Sequence, residues 1–208
     1  MRTETRYSLT SATALALALC VSVTSACSNP GAGIATEGDW AFITGNTYGQ
    51  RYSALDQVNA DNFEQLEVAW VWDGSAFPNV NARATPIYVN GKLISVAGER
   101  RHVVATDAGT GETIWSWVEP ETFRWEYSMR KNHGKGVAYA NVDGRDVVYV
   151  VTPAFFLHAL DAETGQPVEG FGGSVPIEGF PETGTVDLLA HLGHEYDPEK
   201  GIPLEVGY

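Results

Sequence analysis

A short turn sequence occurs twice in this chain, at residues 105–111 and 159–165. The first copy reads Ala-Thr-Asp-Ala-Gly-Thr-Gly and the second reads Ala-Leu-Asp-Ala-Glu-Thr-Gly. Each copy follows a run of apolar residues typical of a β-strand. A unit that recurs in this way predicts a fold made of stacked, similar units, because one such unit cannot bury its apolar face alone.

The repeated residues suit a turn between two antiparallel strands. Gly111 and Gly165 end the two copies and allow the positive φ that such a turn needs without a Cβ clash. Side chains that can hydrogen-bond the free amides of the turn occur in both copies: Asp107, Thr110, Asp161 and Thr164. Trp115 follows the first copy, where its flat side chain can dock on a neighbouring unit.

Short apolar runs around the turns predict antiparallel strands. They are residues 66–72, 85–89, 92–97, 102–107, 113–118, 135–141, 146–152 and 156–161. Asn90-Gly91 is a strong hairpin signal between two of them. A helical turn is predicted near residues 59–66, and residues 170–208 are interpreted as a long excursion with no clear period. The six tryptophans are predicted to pack between units.

The chain resembles the quinoprotein dehydrogenases that use pyrroloquinoline quinone (PQQ). Residues 105–115 are similar to the tryptophan-docking motif of their propellers. Residues 49–59 and Ala69-Trp70 resemble the N-terminal segment of that family, whereas Thr85-Pro86 and Gly91-Lys92-Leu93 resemble its first blade. The repeat alone also occurs in other propellers, so the N-terminal segment makes the resemblance much more specific.

The resemblance, which covers about residues 38–175, implies an all-β fold, a β-propeller of four-stranded antiparallel blades. The family has eight blades, so residues 38–208 are expected to hold about the first two, as an incomplete ring and the N-terminal fragment of a longer protein. The alternative is a small self-contained β domain with two similar hairpins.

The resemblance also implies a cofactor and a reaction. PQQ lies near the propeller axis with Ca²⁺ beside it, and an alcohol or sugar is oxidised while a cytochrome or quinone accepts the electrons. The metal ligands and the catalytic base of the family come from later blades, so they are expected beyond Tyr208. No catalytic or metal-binding residue is therefore assigned within the chain.

Lys135 and His133 are the candidate cofactor-binding residues. Lys135 precedes Gly136-Val137-Ala138-Tyr139, where the resemblance expects an arginine, and lysine lacks the planar fork of that residue. With Arg130 and Lys131 these residues form a basic cluster in an acidic chain, which suits a tricarboxylate. The alternative is a solvated loop whose cations balance nearby glutamates.

Two departures from the family weaken the enzyme interpretation. Arg83 stands where many relatives carry a glutamate that contacts PQQ. The mature chain also lacks the vicinal disulfide of alcohol-type relatives, although glucose-type membrane relatives lack it too. The alternative function is a non-enzymatic propeller lipoprotein that acts as an envelope scaffold or binding module.

His191, His194 and Glu195 superficially suggest a metal site and a third function, a metallohydrolase. Zinc-protease helices carry His-Glu-x-x-His, which places both imidazoles on one helix face. The order here differs, and Gly193 disfavours a helix. A surface loop is therefore the favoured interpretation.

Residues 1–27 are predicted to be a signal peptide, because two arginines precede an apolar run too short to span a bilayer. Cys27 follows small residues and resembles the lipid-attachment cysteine of a bacterial lipoprotein box, although Thr24 stands where that box usually has leucine. Lipid attachment and plain secretion stay open, and both export the protein to the periplasm or outer membrane. Residues 28–37 are predicted to be a linker. The net charge of −13 argues against nucleic-acid binding.

Overall fold

The computed structural model of the protein describes residues 38–78, 84–128, 131, 134 and 136–191. These residues form two four-stranded antiparallel sheets, as the sequence predicts. The first sheet, blade 1, contains β1 (Ile87–Val89), β2 (Lys92–Ala97), β3 (His102–Asp107) and β4 (Thr113–Trp117). The second sheet, blade 2, contains β5 (Ala138–Val142), β6 (Arg145–Val151), β7 (Phe156–Asp161) and β8 (Thr185–Asp187). The two sheets do not close a ring.

Each blade is a simple meander, because its strands pair in chain order. The β1–β2 turn has positive φ at both Asn90 (48°) and Gly91 (77°), which is the geometry of a two-residue hairpin. Asp143 (52°) and Gly144 (83°) make the equivalent turn between β5 and β6. The first hairpin lies at the predicted Asn90-Gly91 turn, and the second lies between the predicted strands at 135–141 and 146–152.

The main core lies between the two blades. In blade 1, the register places Ile87 opposite Ile94, Ile94 opposite Ala105 and Ala105 opposite Trp115, so one row of apolar side chains crosses the sheet. Val148 and Leu160 extend the same buried cluster from blade 2. The alternation of each strand thus turns one apolar face of each sheet toward the neighbouring blade.

Three expectations about secondary structure need correction or addition. Residues 66–72 form no strand ladder with any described residue, so the predicted strand is wrong. The fourth strand of blade 2, β8, lies inside residues 170–208, which were interpreted as an excursion. The predicted helical turn is confirmed as a short 3-10 helix (Phe63–Gln65).

Two short α-helices were not expected from the sequence. α1 (Phe123–Tyr127) comes between blade 1 and blade 2 in the chain. Its N-cap is Thr122, whose side chain accepts a hydrogen bond from the amide of Trp125. α2 (Leu188–His191) follows β8. In the described part of the chain, no helix has the length and apolar character that crossing a membrane requires.

Candidate cofactor face between the two blades

The repeated turns have the internal hydrogen bonds predicted from the sequence. Asp107 Oδ1 accepts from the amides of Gly109 (2.9 Å) and Thr110 (2.8 Å), which holds the pKa of the Asp107 carboxyl below its ordinary value. Asp161 Oδ1 accepts in the same way from Glu163 (3.1 Å) and Thr164 (3.0 Å). The two turns therefore have the same conformation, stabilised by equivalent local hydrogen bonds.

Each turn carries a tryptophan from the unit before it. Trp115 Nε1 donates to the carbonyl of Ala162 at 3.1 Å, and its ring covers Gly165. A Cβ on Gly165, whose φ is +70°, would lie 2.5 Å from the Trp115 ring. Glycine is required there on two counts, since both the backbone angle and the ring exclude a side chain.

The turn of blade 1 is covered in the same manner. Trp70 Nε1 donates to the carbonyl of Ala108 at 3.0 Å, and a Cβ on Gly111 would lie 2.6 Å from the Trp70 ring. The predicted docking of Trp115 is thus confirmed. Trp70 is a second docking residue, in agreement with the prediction that the tryptophans pack between units.

The docking turns and the connection between the blades lie at opposite ends of the strands. In an antiparallel meander successive turns alternate between these two ends, which we call the two edges of the blade. The β1–β2 and β3–β4 turns share the docking edge, so the β2–β3 turn and the segment from β4 to β5 share the other. We call residues 118–137 the connection and its side of the blades the connection edge. Lys135 and His133 belong to the connection by sequence.

Cationic side chains gather at the connection edge. The guanidinium of Arg100 lies 5.4 Å from the ring centre of Trp125, and Lys131 Nζ lies 4.2 Å from the same ring. Arg101 reaches across the blades, where its Nη1 donates to the carbonyl of Val151 at 2.6 Å. Glutamates lie at the same edge, where Arg100 Nη1 is 3.0 Å from Glu121 Oε1 and Arg100 Nη2 donates to the carbonyl of Glu119.

A buried polar chain lies beneath these cations. Glu119 and His158 are 0% and 1% exposed, with His158 Nε2 3.2 Å from Glu119 Oε2. His158 Nδ1 lies 3.0 Å from the hydroxyl of Thr185. Burial lowers the pKa of Arg101, and the negative charge of Glu119 opposes that shift. Glu119 therefore serves as a counter-charge as well as a hydrogen-bond acceptor.

A second buried pair lies on the same connection. Arg124, 3% exposed, makes a two-fold contact with Asp187, with Nη1 2.9 Å from Oδ1 and Nη2 2.7 Å from Oδ2. The guanidinium also lies 4.5 Å from the ring centre of Phe156. Asp187 Oδ1 accepts from the amides of Leu189 and Ala190 as well, so it also begins α2.

Residues 40–203 match the PQQ family described as the glucose/ethanol/alcohol dehydrogenase beta-propeller domain. The chain belongs to this family of PQQ propellers. The dehydrogenase subunit of the quinone-dependent alcohol dehydrogenase of Gluconobacter oxydans is 33% identical over 168 residues, which cover 77% of this chain and 21% of that protein. The quinohemoprotein alcohol dehydrogenase of Comamonas testosteroni is 33% identical over 174 residues, 76% of this chain and 22% of that protein.

Solved structures of such proteins share the fold of this PQQ propeller chain. The crystal structure of the Comamonas testosteroni enzyme superposes with a TM-score of 0.53 at 33% identity, over 68% of this chain and 21% of that one. A europium-containing methanol dehydrogenase has a TM-score of 0.52 at 24% identity, over 63% of this chain and 22% of that one. The chain spans about a fifth of the length of the curated relatives it matches.

The connection edge of this PQQ propeller chain carries cations that a tricarboxylate such as PQQ could use. They are Arg100 and Lys131, of which Arg100 also pairs with Glu121, whereas Arg101 is buried and donates to the carbonyl of Val151. The inner end of the connection also runs close to blade 1, since a Cβ on Gly136 would lie 3.1 Å from the carbonyl oxygen of Thr85. The backbone thus passes where no bulkier residue fits. Among the described residues no group of three or more His, Cys, Asp or Glu could hold a metal ion.

Several predicted site residues lie outside the described residues. They are Cys27, Arg83, Arg130, His133, Lys135, His194 and Glu195. His191 is described, and it ends α2 with an exposed side chain, where a loop was expected. Glu119, Arg124 and His158 were not predicted to be buried, because a charged or polar residue gives no sign in the sequence of the partner that it will meet.

Proposed function

We propose that this chain forms the first two blades of an exported PQQ-dependent dehydrogenase that oxidises an alcohol or a sugar. The match of residues 40–203 to the PQQ propeller family carries this proposal. Relatives in that family are quinone-dependent and quinohemoprotein alcohol dehydrogenases, and one is a quinoprotein glucose dehydrogenase. PQQ and a metal ion follow as cofactors, with Ca²⁺ as the specific proposal.

The described residues would contribute binding rather than chemistry. When bound, PQQ supplies the two-electron oxidation of the substrate. Arg100, which also pairs with Glu121, and Lys131 at the connection edge are proposed to attract its carboxylates, and Lys135 and His133 are proposed to contact it. The metal ligands and the general base are proposed to come from outside this chain. A cytochrome or quinone is the proposed electron acceptor.

Activity with an artificial electron acceptor tests the proposal. Full-length protein incubated with PQQ and Ca²⁺ should reduce a redox dye when an alcohol or a sugar is added, and omission of PQQ should abolish the reaction. Correctly folded protein that neither binds PQQ nor reduces the dye with any alcohol or sugar would contradict the proposal. That result would favour the scaffold function instead.

Export is a separate proposal, based on the leader at residues 1–27 and the linker at residues 28–37. Cleavage before Cys27 with lipid attachment would tether the protein to a membrane, whereas cleavage alone would release it into the periplasm. Mass spectrometry of the mature N-terminus distinguishes the two outcomes. Cys27→Ser should move a lipid-tethered protein into the soluble fraction, and an uncleaved leader on cytoplasmic protein would contradict export altogether.

A further inference from the structure

Asn90, in the β1–β2 turn, connects the two blades at the docking edge. Its Nδ2 donates to Asp146 Oδ2 on β6 at 2.6 Å, and its backbone amide donates to Asp39 Oδ1 at 3.2 Å. Asp146 Oδ1 accepts from the hydroxyl of Tyr139 at 2.6 Å and from Asn141 Nδ2 at 2.7 Å. The side chain of Asn90 thus contacts a carboxylate of the neighbouring blade, and that blade's own side chains hold this carboxylate in place.

The residue after Asn90 is a glycine whose backbone nitrogen is accessible. Asn90-Gly91 is the only Asn-Gly pair in the sequence, and both residues are exposed. The Gly91 carbonyl accepts from the amide of Ala108, whereas the Gly91 amide donates to none of the described residues. In a two-residue hairpin the turn residues lie outside the strand ladder, and glycine has no side chain to shield its nitrogen.

An asparagine that precedes glycine can lose its side-chain amide without an enzyme. The Gly91 nitrogen attacks Asn90 Cγ, so that an N–Cγ bond forms, the Cγ–Nδ2 bond breaks, and ammonia leaves with the proton of the Gly91 amide. Water then opens the cyclic imide and leaves aspartate or isoaspartate at position 90. One water is consumed, one ammonia is released, and nothing is oxidised or reduced.

The hydrogen bonds of Asn90 oppose this reaction in the closed turn. The attack needs Asn90 Cγ and the Gly91 nitrogen to approach each other, whereas the contacts with Asp39 and Asp146 hold Asn90 in place. A local opening of the turn releases these contacts while the rest of the fold stays intact. The opening that permits the reaction is therefore the same event that separates Asn90 from blade 2.

We propose that Asn90 is a site of spontaneous deamidation, and that the modification makes the opening of this contact between the blades irreversible. A carboxylate at position 90 faces Asp146, and like charges at hydrogen-bond distance repel each other. The contact then cannot form again as before. The inference goes beyond the proposed function and does not depend on PQQ.

Incubation of full-length protein at mildly alkaline pH, followed by peptide mass spectrometry, tests the modification. Asn141 is the internal control, because it is exposed and donates to the same carboxylate as Asn90. Val142 follows Asn141, has a β-branched side chain and lies in the ladder opposite Arg145. Deamidation should be at least about tenfold faster at position 90 than at position 141, a barrier difference of about 1.4 kcal/mol.

Three variants separate the local contact from general stability. Asp146→Ala removes the acceptor of the Asn90 side chain and should speed deamidation at position 90 severalfold. Tyr139→Phe removes another hydrogen bond of the same carboxylate but leaves the one to Asn90, so its rate should match that of the wild type. Val103→Ala lowers stability from a fully buried position away from the turn, and should leave the rate unchanged under native conditions.

Asn90→Asp imitates the modified protein and tests the consequence. Its urea midpoint should fall below that of Asn90→Gly, which loses the same hydrogen bond without gaining a charge and accepts the φ of 48°. Because the difference arises from repulsion between charges, it should shrink at high salt.

Each measurement has an outcome that would overturn the inference. Equal rates at positions 90 and 141 in the wild type would show that Asn90 is not a preferred site. A rate in Asp146→Ala equal to that of the wild type would remove the role of the contact. Equal acceleration in Val103→Ala would mean that the reaction follows global unfolding. Equal midpoints for Asn90→Asp and Asn90→Gly would remove the irreversible step. None of these results bears on PQQ binding, so the proposed function is tested separately.

Discussion

Blades 1 and 2 carry the same docking turn, yet the tryptophans that cover the two turns are held differently. Trp115 lies on β4 within a sheet, is 9% exposed and belongs to the main core. Trp70 lies on a segment that forms no ladder with any described residue, and it is only partly buried. The turn is therefore a local structure that forms with either neighbour, whereas the burial of its tryptophan depends on the strands around it.

The outer strands of the two blades also differ: the fourth strand is continuous in blade 1 and interrupted in blade 2. β4 is one continuous strand of five residues beside β3, with a register shift between Ala105 and Thr106. In blade 2 the corresponding strand begins at Pro167, which bridges Leu160, leaves the sheet, and returns as β8. Proline cannot donate to a ladder, which favours such an interruption at an outer strand. A shared turn thus does not fix the strand that follows it.

The largest expected effect is a difference in the free energy of unfolding between variants of the two docking tryptophans. Trp115→Ala should lower the free energy of unfolding by about 3–5 kcal/mol, because it empties a buried site between the blades. Trp70→Ala should cost roughly 1–2 kcal/mol, because its ring is already partly exposed. Urea unfolding followed by circular dichroism measures both.

Trp115→Phe is the control for the first variant, since it keeps a ring but loses the Nε1 bond to Ala162. It should fall between the wild type and Trp115→Ala. Equal losses for Trp70→Ala and Trp115→Ala would contradict the comparison, and would mean that residues 66–72 are buried as deeply as β4.

A smaller effect is expected when the glycine beneath the tryptophan is changed. Gly165→Ala combines an unfavourable φ with a clash against the Trp115 ring. It should lower the free energy of unfolding by about 2–4 kcal/mol. Gly144→Ala is the matched control in the same blade: its φ is +83°, but a Cβ there meets nothing within 4 Å.

The control variant should cost only about 1 kcal/mol, the strain of a positive φ alone. Thermal unfolding of both variants gives the comparison. If the two alanine variants were equally stable, the docking of Trp115 on Gly165 would have no energetic role beyond the backbone angle.

The smallest effect concerns a histidine at the start of β3. Burial and the charge of Arg100 lower the pKa of His102 below its ordinary value of 6.5. As the pH falls, His102 is protonated at a higher pH in the unfolded chain than in the folded one. The free energy of unfolding therefore decreases as the pH drops below 6.5. Urea midpoints measured from about pH 8 to pH 5 should show this slope, and His102→Gln should lack this part of it.

Proton titration of His102 by nuclear magnetic resonance checks the cause directly. A midpoint for His102 at or above 6.5 would contradict the burial argument, and Arg100→Met should raise the midpoint.

Most strands were predictable because their information is local. Alternation and hairpin glycines placed β2, β3 and β7 within their observed bounds, and the Asp-x-x-Thr-Gly turns formed the predicted amide bonds. The predicted strand at residues 66–72 failed for the complementary reason. Its alternation is real, but a strand also needs a neighbour to pair with, and the pattern carries no information about one.

The ionic residues of the connection could not be found in the same way. Glu119, Arg124 and His158 are separated from their partners by up to 63 positions in the chain. A lone glutamate or arginine in sequence predicts a solvated side chain. Only the packing of blade 2 against the connection places opposite charges within hydrogen-bond distance, where burial is tolerated.

The sequence by itself determined the repeating unit of this protein, its turns, most of its strands and its resemblance to the PQQ propellers. These depend on backbone angles and on alternation over a few residues, which each segment carries alone. The tertiary structure decided which tryptophan covers which turn, where the fourth strand of blade 2 returns, and which charges become buried. Those outcomes depend on distances between segments far apart in the chain, which are set only when the two blades pack.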